Sequence, residues 1–326
     1  MDKRLPILVT GAAGFVGSRF VERCNERGIP VISVDARAHF SERAEHRGID
    51  FGTIIDRDVL LDRLVQAPPR MQSIVHMGAC TDTTQYDVEF LRRVNLEYTK
   101  SLWRFATEQR VPFVYASSGA TYGDGGHGFR DDESQMGDLV PLNPYGDSKL
   151  QFDLWALAEE TRGRTPPVWS GFKFFNVYGF GERHKKKMAS VVVTAFDQIL
   201  ATGRVRLFKS HKDGIPDGHQ SRDFVYVRDV VDVLFFALEK PLPRGIYNLG
   251  TGEARTFEDL AKATFVALGR KPEIVYFDTP MELRERYQYF TQADMAKLRN
   301  AGYSRAFTTL EDGVREYVQQ LQAARG

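Results

Sequence analysis

Short apolar runs alternate with helix-spaced patterns through the first half of the chain. The run Ile7–Val9 is followed by Phe15, Val16, Phe20 and Val21 on one helical face, and Pro30–Val34 forms a second run that ends at Asp35. Val59–Val65 and Val88–Gln109 carry helical spacing, whereas Ser73–His76 and Phe113–Ala116 have the length and apolarity of buried strands. This alternation predicts an α/β fold with a doubly wound parallel sheet covered on both faces. Gly78-Ala79-Cys80-Thr81 and Ser117-Ser118-Gly119 then fall at strand carboxyl ends, where open α/β sheets bind ligands.

After residue 176 the pattern loosens. Gly179–Lys187 is a basic loop, Met188–Leu200 a helix, and Lys209–Gln220 a polar segment long enough to suggest function or mobility. Asp223–Val227 and Gly245–Leu249 are strands around a Val230–Leu238 helix, and Thr256 and Thr309 are N-caps for helices running to Leu268 and Leu321. The expected organisation is a dinucleotide-binding domain over 1–176, with a returning segment at 223–258, and a smaller substrate-binding lobe over 177–222 and 259–326.

Composition narrows the function classes. The 326 residues carry a formal net charge of +1, so no global field favours nucleic acid or membrane, and no apolar run approaches the length of a bilayer span. Charged Asp2, Lys3 and Arg4 lead into the first strand, unlike a secretory signal. Cys24 and Cys80 have neither metal-ligand nor disulfide spacing and read as buried small hydrophobes, which suits a reducing cytoplasm. No metal is expected.

The candidate chemistry begins at Val9-Thr10-Gly11-Ala12-Ala13-Gly14-Phe15-Val16-Gly17. Gly11, Gly14 and Gly17 supply a tight turn, close approach to a pyrophosphate and close helix packing, with the helix N-terminus facing the anion. No Gly-Lys-Ser/Thr follows, which argues against a phosphate-transferring loop. Tyr145 and Lys149 lie four apart at the start of a helix and share a face. The ammonium is expected to pull the phenol's pKa down towards the range where it takes a proton, with Ser118 at the neighbouring strand end.

Gly11, Gly14, Gly17, Asn95, Ser118, Tyr122-Gly123, Tyr145 and Lys149 together resemble the extended short-chain dehydrogenase/reductase family over most of the chain. The resemblance implies a Rossmann domain with a substrate lobe. It implies that Ser118 binds the reacting oxygen, Tyr145 is the acid/base, Lys149 holds the nicotinamide ribose and tunes Tyr145, and Asn95 lies near the cofactor. Strings beginning at His76, Tyr115, Phe174, His184, Met188, Arg222 and Arg286 resemble the branch that epimerises nucleotide-bound heptose at C6. That branch uses two bases, which makes Lys185 the second; its needed low pKa would come from neighbouring cations, and the bland alternative is a solvated basic loop.

The same resemblance places Ala12, Phe15, Val16, Ala36, Met77, Gly78, Ala79, Cys80, Val177 and Lys185 at the cofactor. It places Asn176, Lys187, Thr194, Phe208, Arg222 and Tyr287 at the nucleotide sugar, with Arg222 suited to the diphosphate. Asp35 would grip the ribose of NAD, whereas Arg37 or Arg57 would neutralise the extra phosphate of NADP. The resemblance implies NADP, with NAD the alternative, and a homo-oligomer. Gly119-Ala120-Thr121 lacks the acidic pair a 4,6-dehydratase needs. A UDP-hexose 4-epimerase and a catalytically inactive dinucleotide-binding sensor remain the alternatives.

Overall fold

The computed structural model describes residues 4–284 and 287–325. The strands, in chain order, are β1 Ile7–Thr10, β2 Val31–Asp35, β3 Thr53–Asp56, β4 Ser73–His76, β5 Phe113–Ser118, β6 Trp169–Phe174, β7 Asn176–Tyr178, β8 Val205–Phe208, β9 Ser221–Tyr226, β10 Gly245–Leu249, β11 Ala254–Thr256 and β12 Ile274–Phe277. Seven form one parallel sheet in the order β10-β6-β5-β4-β1-β2-β3. The strand order reverses between β1 and β4, so the crevice for a ligand opens at their carboxyl ends. The doubly wound Rossmann-like sheet expected from the apolar runs is present. It is all-parallel because every crossover carries at least one helix, which leaves both faces covered and every strand but the edge strand β3 largely buried.

The helices begin where local chemistry starts them. Asn143 Oδ1 accepts from Gly146 N at 2.8 Å and Pro144 occupies the first turn, which opens Pro144–Thr161. Thr256 and Asp259 form a reciprocal capping box for Phe257–Ala267, and Thr309 caps Leu310–Ala323. Two helices depart from expectation. Val88–Gln109 divides into Val88–Leu91, a π-helical segment Arg92–Glu97 and Tyr98–Glu108, and the extra residue accompanies the inward turn of Asn95. Met188 is absorbed into a kinked turn, Arg183–Met188, so the next helix starts only at Val191 and runs to Thr202.

The principal apolar core lies on both faces of the large sheet. A second cluster joins Tyr178, Val192, Phe196 and Tyr226 to Val314 and Tyr317, and it includes Phe15 from the helix after the glycine turn. β11-β9-β7 and β12-β8 form two small sheets beside it. The polar segment 209–220 is held closed: Ser210 N donates to Asp217 Oδ1 at 2.7 Å, and Gln220 Nε2 donates to the Lys209 carbonyl at 3.1 Å. Among the described residues no helix is long and apolar enough to cross a membrane.

Candidate functional site

The glycine turn is built against β4. Gly11 has φ +66°, and a Cβ there would stand 2.6 Å from Gly78 N; one on Gly17 would stand 2.0 Å from the Gly11 carbonyl oxygen. Both positions therefore exclude a side chain, the first by conformation and contact, the second by helix packing. Gly14 is the N-cap of Phe15–Glu26 and contributes no side-chain cap. The first amides of that twelve-residue helix are thus directed to a ligand or solvent, and a dinucleotide's pyrophosphate fits them.

Asp35 ends β2 as expected, yet its carboxylate is already engaged. Oδ2 accepts from Ala13 N at 3.2 Å; Oδ1 accepts from Ala36 N at 2.8 Å and pairs with His39 Nδ1 at 2.9 Å. The arginine that reaches this corner is Arg43, which donates to the Ala13 carbonyl and feels the charge of Asp35. Arg37 and Arg57 are exposed. Arg43 escaped the sequence reading because it lies beyond a short helix, Arg37–Ser41, that folds it back.

On the other side of the switch point, Ser118 ends β5. Its Oγ accepts from Ala120 N at 3.1 Å, which leaves the hydroxyl proton for the Tyr145 phenol oxygen. Tyr145 and Lys149 are both buried on Pro144–Thr161, and Lys149 Nζ donates to the Ala116 carbonyl at 3.0 Å. The expected lowering of Tyr145 by Lys149 is corrected. Burial pushes the phenol above its ordinary value, and the opposing pull comes from Ser118. Lys149 is itself held down to about 8, by burial first.

Cys80 and Asn95 act as a fastening. Asn95 Oδ1 accepts from Cys80 N at 2.8 Å, while its amide donates to the Cys80 carbonyl and to Ser148 Oγ, both at 3.0 Å. The side chain is 1% exposed, so Asn95 reaches a cofactor only by holding the loop of Met77, Gly78, Ala79 and Cys80 against the tyrosine helix. Cys80 is half-buried at this junction, whereas Cys24 lies in the core with its thiol pushed up to about 12.

Lys185 arrives from the kinked turn. Its Nζ lies 5.5 Å from the Phe15 ring centre, at the start of the helix that follows the glycines. Burial lowers its pKa, and Glu182 opposes that; neighbouring cations are not the cause, contrary to expectation. Glu182 is fully buried and organises the turn, accepting from Ser190 N at 2.8 Å and Ser190 Oγ at 2.5 Å. Lys186 adopts φ +52°, a strained left-handed conformation that separates half-buried Lys185 from exposed Lys187.

A third wall collects Arg222, Phe208 and Tyr287. Arg222 is 7% exposed and lies 5.5 Å from the ring centres of both Phe257 and Tyr287. Its NH1 donates to the Ser221 carbonyl, and among the described residues no carboxylate pairs with it. Burial lowers its pKa to about 10. A desolvated guanidinium with free donors suits a diphosphate. Phe208 packs edge-on to Tyr287 at 6.2 Å. Asn176 and Thr194 are exposed, Val177 is half-buried, and Arg286 lies outside the described residues. Sequence reasoning missed Arg43, Glu182, Asp153 and Lys173. The last was signalled by a charged residue inside the otherwise apolar run Trp169–Phe174.

Comparison with known proteins finds the same fold and relatives along the whole chain. The model of the NAD dependent epimerase/dehydratase family matches residues 7–250. The ADP-L-glycero-D-manno-heptose-6-epimerase of Fusobacterium nucleatum is 45% identical over 97% of this chain and 98% of its own length. The crystal structure of the Helicobacter pylori ADP-L-glycero-D-manno-heptose-6-epimerase superposes with TM-score 0.81 at 27% identity, covering 99% of each chain. The Thermus thermophilus UDP-glucose 4-epimerase, solved in complex with NAD, gives TM-score 0.78 at 27% identity over 98% of this chain and 100% of that one. With a nicotinamide dinucleotide as its cofactor, this chain belongs to the NAD dependent epimerase/dehydratase family.

Proposed function

We propose that this chain is an isomerase that inverts C6 of ADP-D-glycero-D-manno-heptose to give ADP-L-glycero-D-manno-heptose, with NADP as resident cofactor. The observation that carries the reading is a buried Ser118–Tyr145–Lys149 group at the switch point, accompanied by a second amine, the half-buried Lys185, on a separate element that touches the glycine helix. Near end-to-end likeness to a protein named for this activity supports the choice of sugar.

A nicotinamide dinucleotide held by the glycine turn and Lys149 would supply reversible hydride chemistry at C6. Tyr145, as the phenolate, would take the hydroxyl proton in one sugar orientation, with Ser118 bonding the reacting oxygen. Lys149, one donor anchored on Ala116, offers its others to the ribose. Arg222 grips the diphosphate while the sugar turns, Phe208 and Tyr287 flank the adenine, and Asn176, Lys187 and Thr194 line the approach. Lys185 then supplies a proton to the oxygen presented on the opposite face. Asp35 is already engaged by three donors and Arg43 lies beside it, which favours the 2′-phosphate of NADP over a bare ribose hydroxyl. The family resemblance further implies a cytoplasmic homo-oligomer serving lipopolysaccharide heptose synthesis.

The test offers purified protein ADP-D-glycero-D-manno-heptose and, separately, UDP-glucose, and follows C6 and C4 by proton NMR. Inversion at C6 of the heptose alone is expected. Inversion at C4 of UDP-glucose alone overturns the assignment, and release of NAD without NADP on denaturation overturns the cofactor.

A further inference from the structure

Behind the acid–base group lies an ion pair sealed from solvent. Asp153 and Lys173 are both 0% exposed, with Oδ2 and Nζ 2.6 Å apart. Asp153 Oδ1 also accepts from the Tyr115 hydroxyl at 2.9 Å, and Oδ2 from Ser117 Oγ at 2.6 Å. Lys173 Nζ donates further to Thr121 Oγ1 at 2.7 Å, and Thr121 Oγ1 donates to the Ser118 carbonyl at 2.8 Å. The pair thus holds the chain on both sides of Ser118.

Its other attachment is the tyrosine helix. Asp153 stands one turn beyond Lys149 on Pro144–Thr161, and Lys149 bonds the carbonyl of Ala116, which lies between Tyr115 and Ser117. The approach is close: a Cβ on Gly171 would stand 2.3 Å from Cζ of Tyr115. A buried pair of this kind is often no more stabilising than apolar side chains of the same volume, so stability alone does not account for its charges.

We propose that Asp153 and Lys173 are positioning residues for the epimerisation, locking β5 to the tyrosine helix so that Ser118 meets Tyr145 and balancing the charge felt by Lys149. The inference rests on the reading of Ser118, Tyr145 and Lys149 given above. The groups facing the pair are Tyr115 and Ser117 from β5, Thr121 and Tyr122 from the turn after it, and Lys149 and Tyr145 from the helix. Cys80 borders the two helix residues from the loop after β4, His76 feels Lys149 from β4, and Glu133 acts on Tyr115 from farther away.

The experiment follows the Lys149 amine by NMR in protein labelled at lysine Cε, alongside kcat and KM. In Lys173→Gln a donor remains but the charge is gone, so unbalanced Asp153 moves the Lys149 titration to higher pH; Asp153→Asn moves it to lower pH. Each lowers kcat by about 100-fold, the effect of a small misplacement of reacting groups, with KM little changed. Lys173→Arg restores both the titration and kcat. A Lys149 titration unmoved in folded Lys173→Gln overturns the proposal. So does failure of both charge-removing variants to fold while Lys173→Arg folds, which assigns the pair to stability. Wild-type protein inactive on the ADP-heptose refutes the epimerase reading instead, and leaves the titration readable.

Discussion

The two lysines of the crevice, buried Lys149 and half-buried Lys185, are held in opposite ways. Lys149 sits on an eighteen-residue helix, with its amine on a strand carbonyl and its neighbours Tyr145 and Ser148 on the same helix. Lys185 sits in a kinked turn whose shape depends on Glu182, and its amine lies over Phe15 rather than on a strand. Burial lowers the proton affinity of both. Regular structure fixes the first, and a single carboxylate organises the second. A wall of the first kind suits a permanent cofactor, and one of the second kind suits a sugar that must turn over within the site.

Three experiments sharpen this contrast. Lys149→Met removes the ribose anchor and the charge beside Tyr145, and turnover is expected to fall about 1,000-fold, within the range of lost acid–base catalysis. The C6 inversion rate and the amount of dinucleotide retained after gel filtration report it, and unchanged retention would detach Lys149 from the cofactor. Lys185→Ala is expected to cost about 100-fold, while washout of the C6 hydrogen between sugar and cofactor persists from one epimer. Full retention of inversion by this variant sinks the two-base mechanism.

The smallest effect concerns His184, which precedes Lys185. Burial, then Arg43, lowers its pKa to about 4, against an opposing pull from Glu45. A lowered pKa means stability present above the unfolded value near 6.5 and lost as pH falls through the folded one. His184→Gln should therefore show a shallower decline of the urea midpoint than the wild type between pH 6.5 and 4. Identical slopes would mean that the ring is solvated. His76 belongs to the first wall and follows the same sign: burial takes it to about 3, and it bridges Thr10 Oγ1 at 2.5 Å and Thr99 Oγ1 at 2.9 Å.

What was legible in the amino acids alone was local. Three glycines after an apolar run specify a strand–turn–helix because a side chain at Gly11 or Gly17 has nowhere to go. Tyr145 and Lys149 share a face because four residues make one helical turn. Thr256 and Thr309 mark helix starts because their side chains act within three residues. The alternation of runs likewise specified the parallel sheet, since each covered strand must be apolar on both faces.

Tertiary structure decided the electrostatics. Tyr145 is raised rather than lowered because folding buries it, and Ser118, twenty-seven positions earlier, supplies the opposing bond. Arg43 displaces Arg37 and Arg57 at Asp35 because a short helix folds back over the glycine turn. Asp153 meets Lys173, and Arg222 lies between Phe257 and Tyr287, through contacts between elements far apart in the chain. Steric and periodic rules act within a few residues and can be read in order. Charge and solvation depend on every neighbour within several ångströms, and only the assembled sheet and lobe bring those neighbours together.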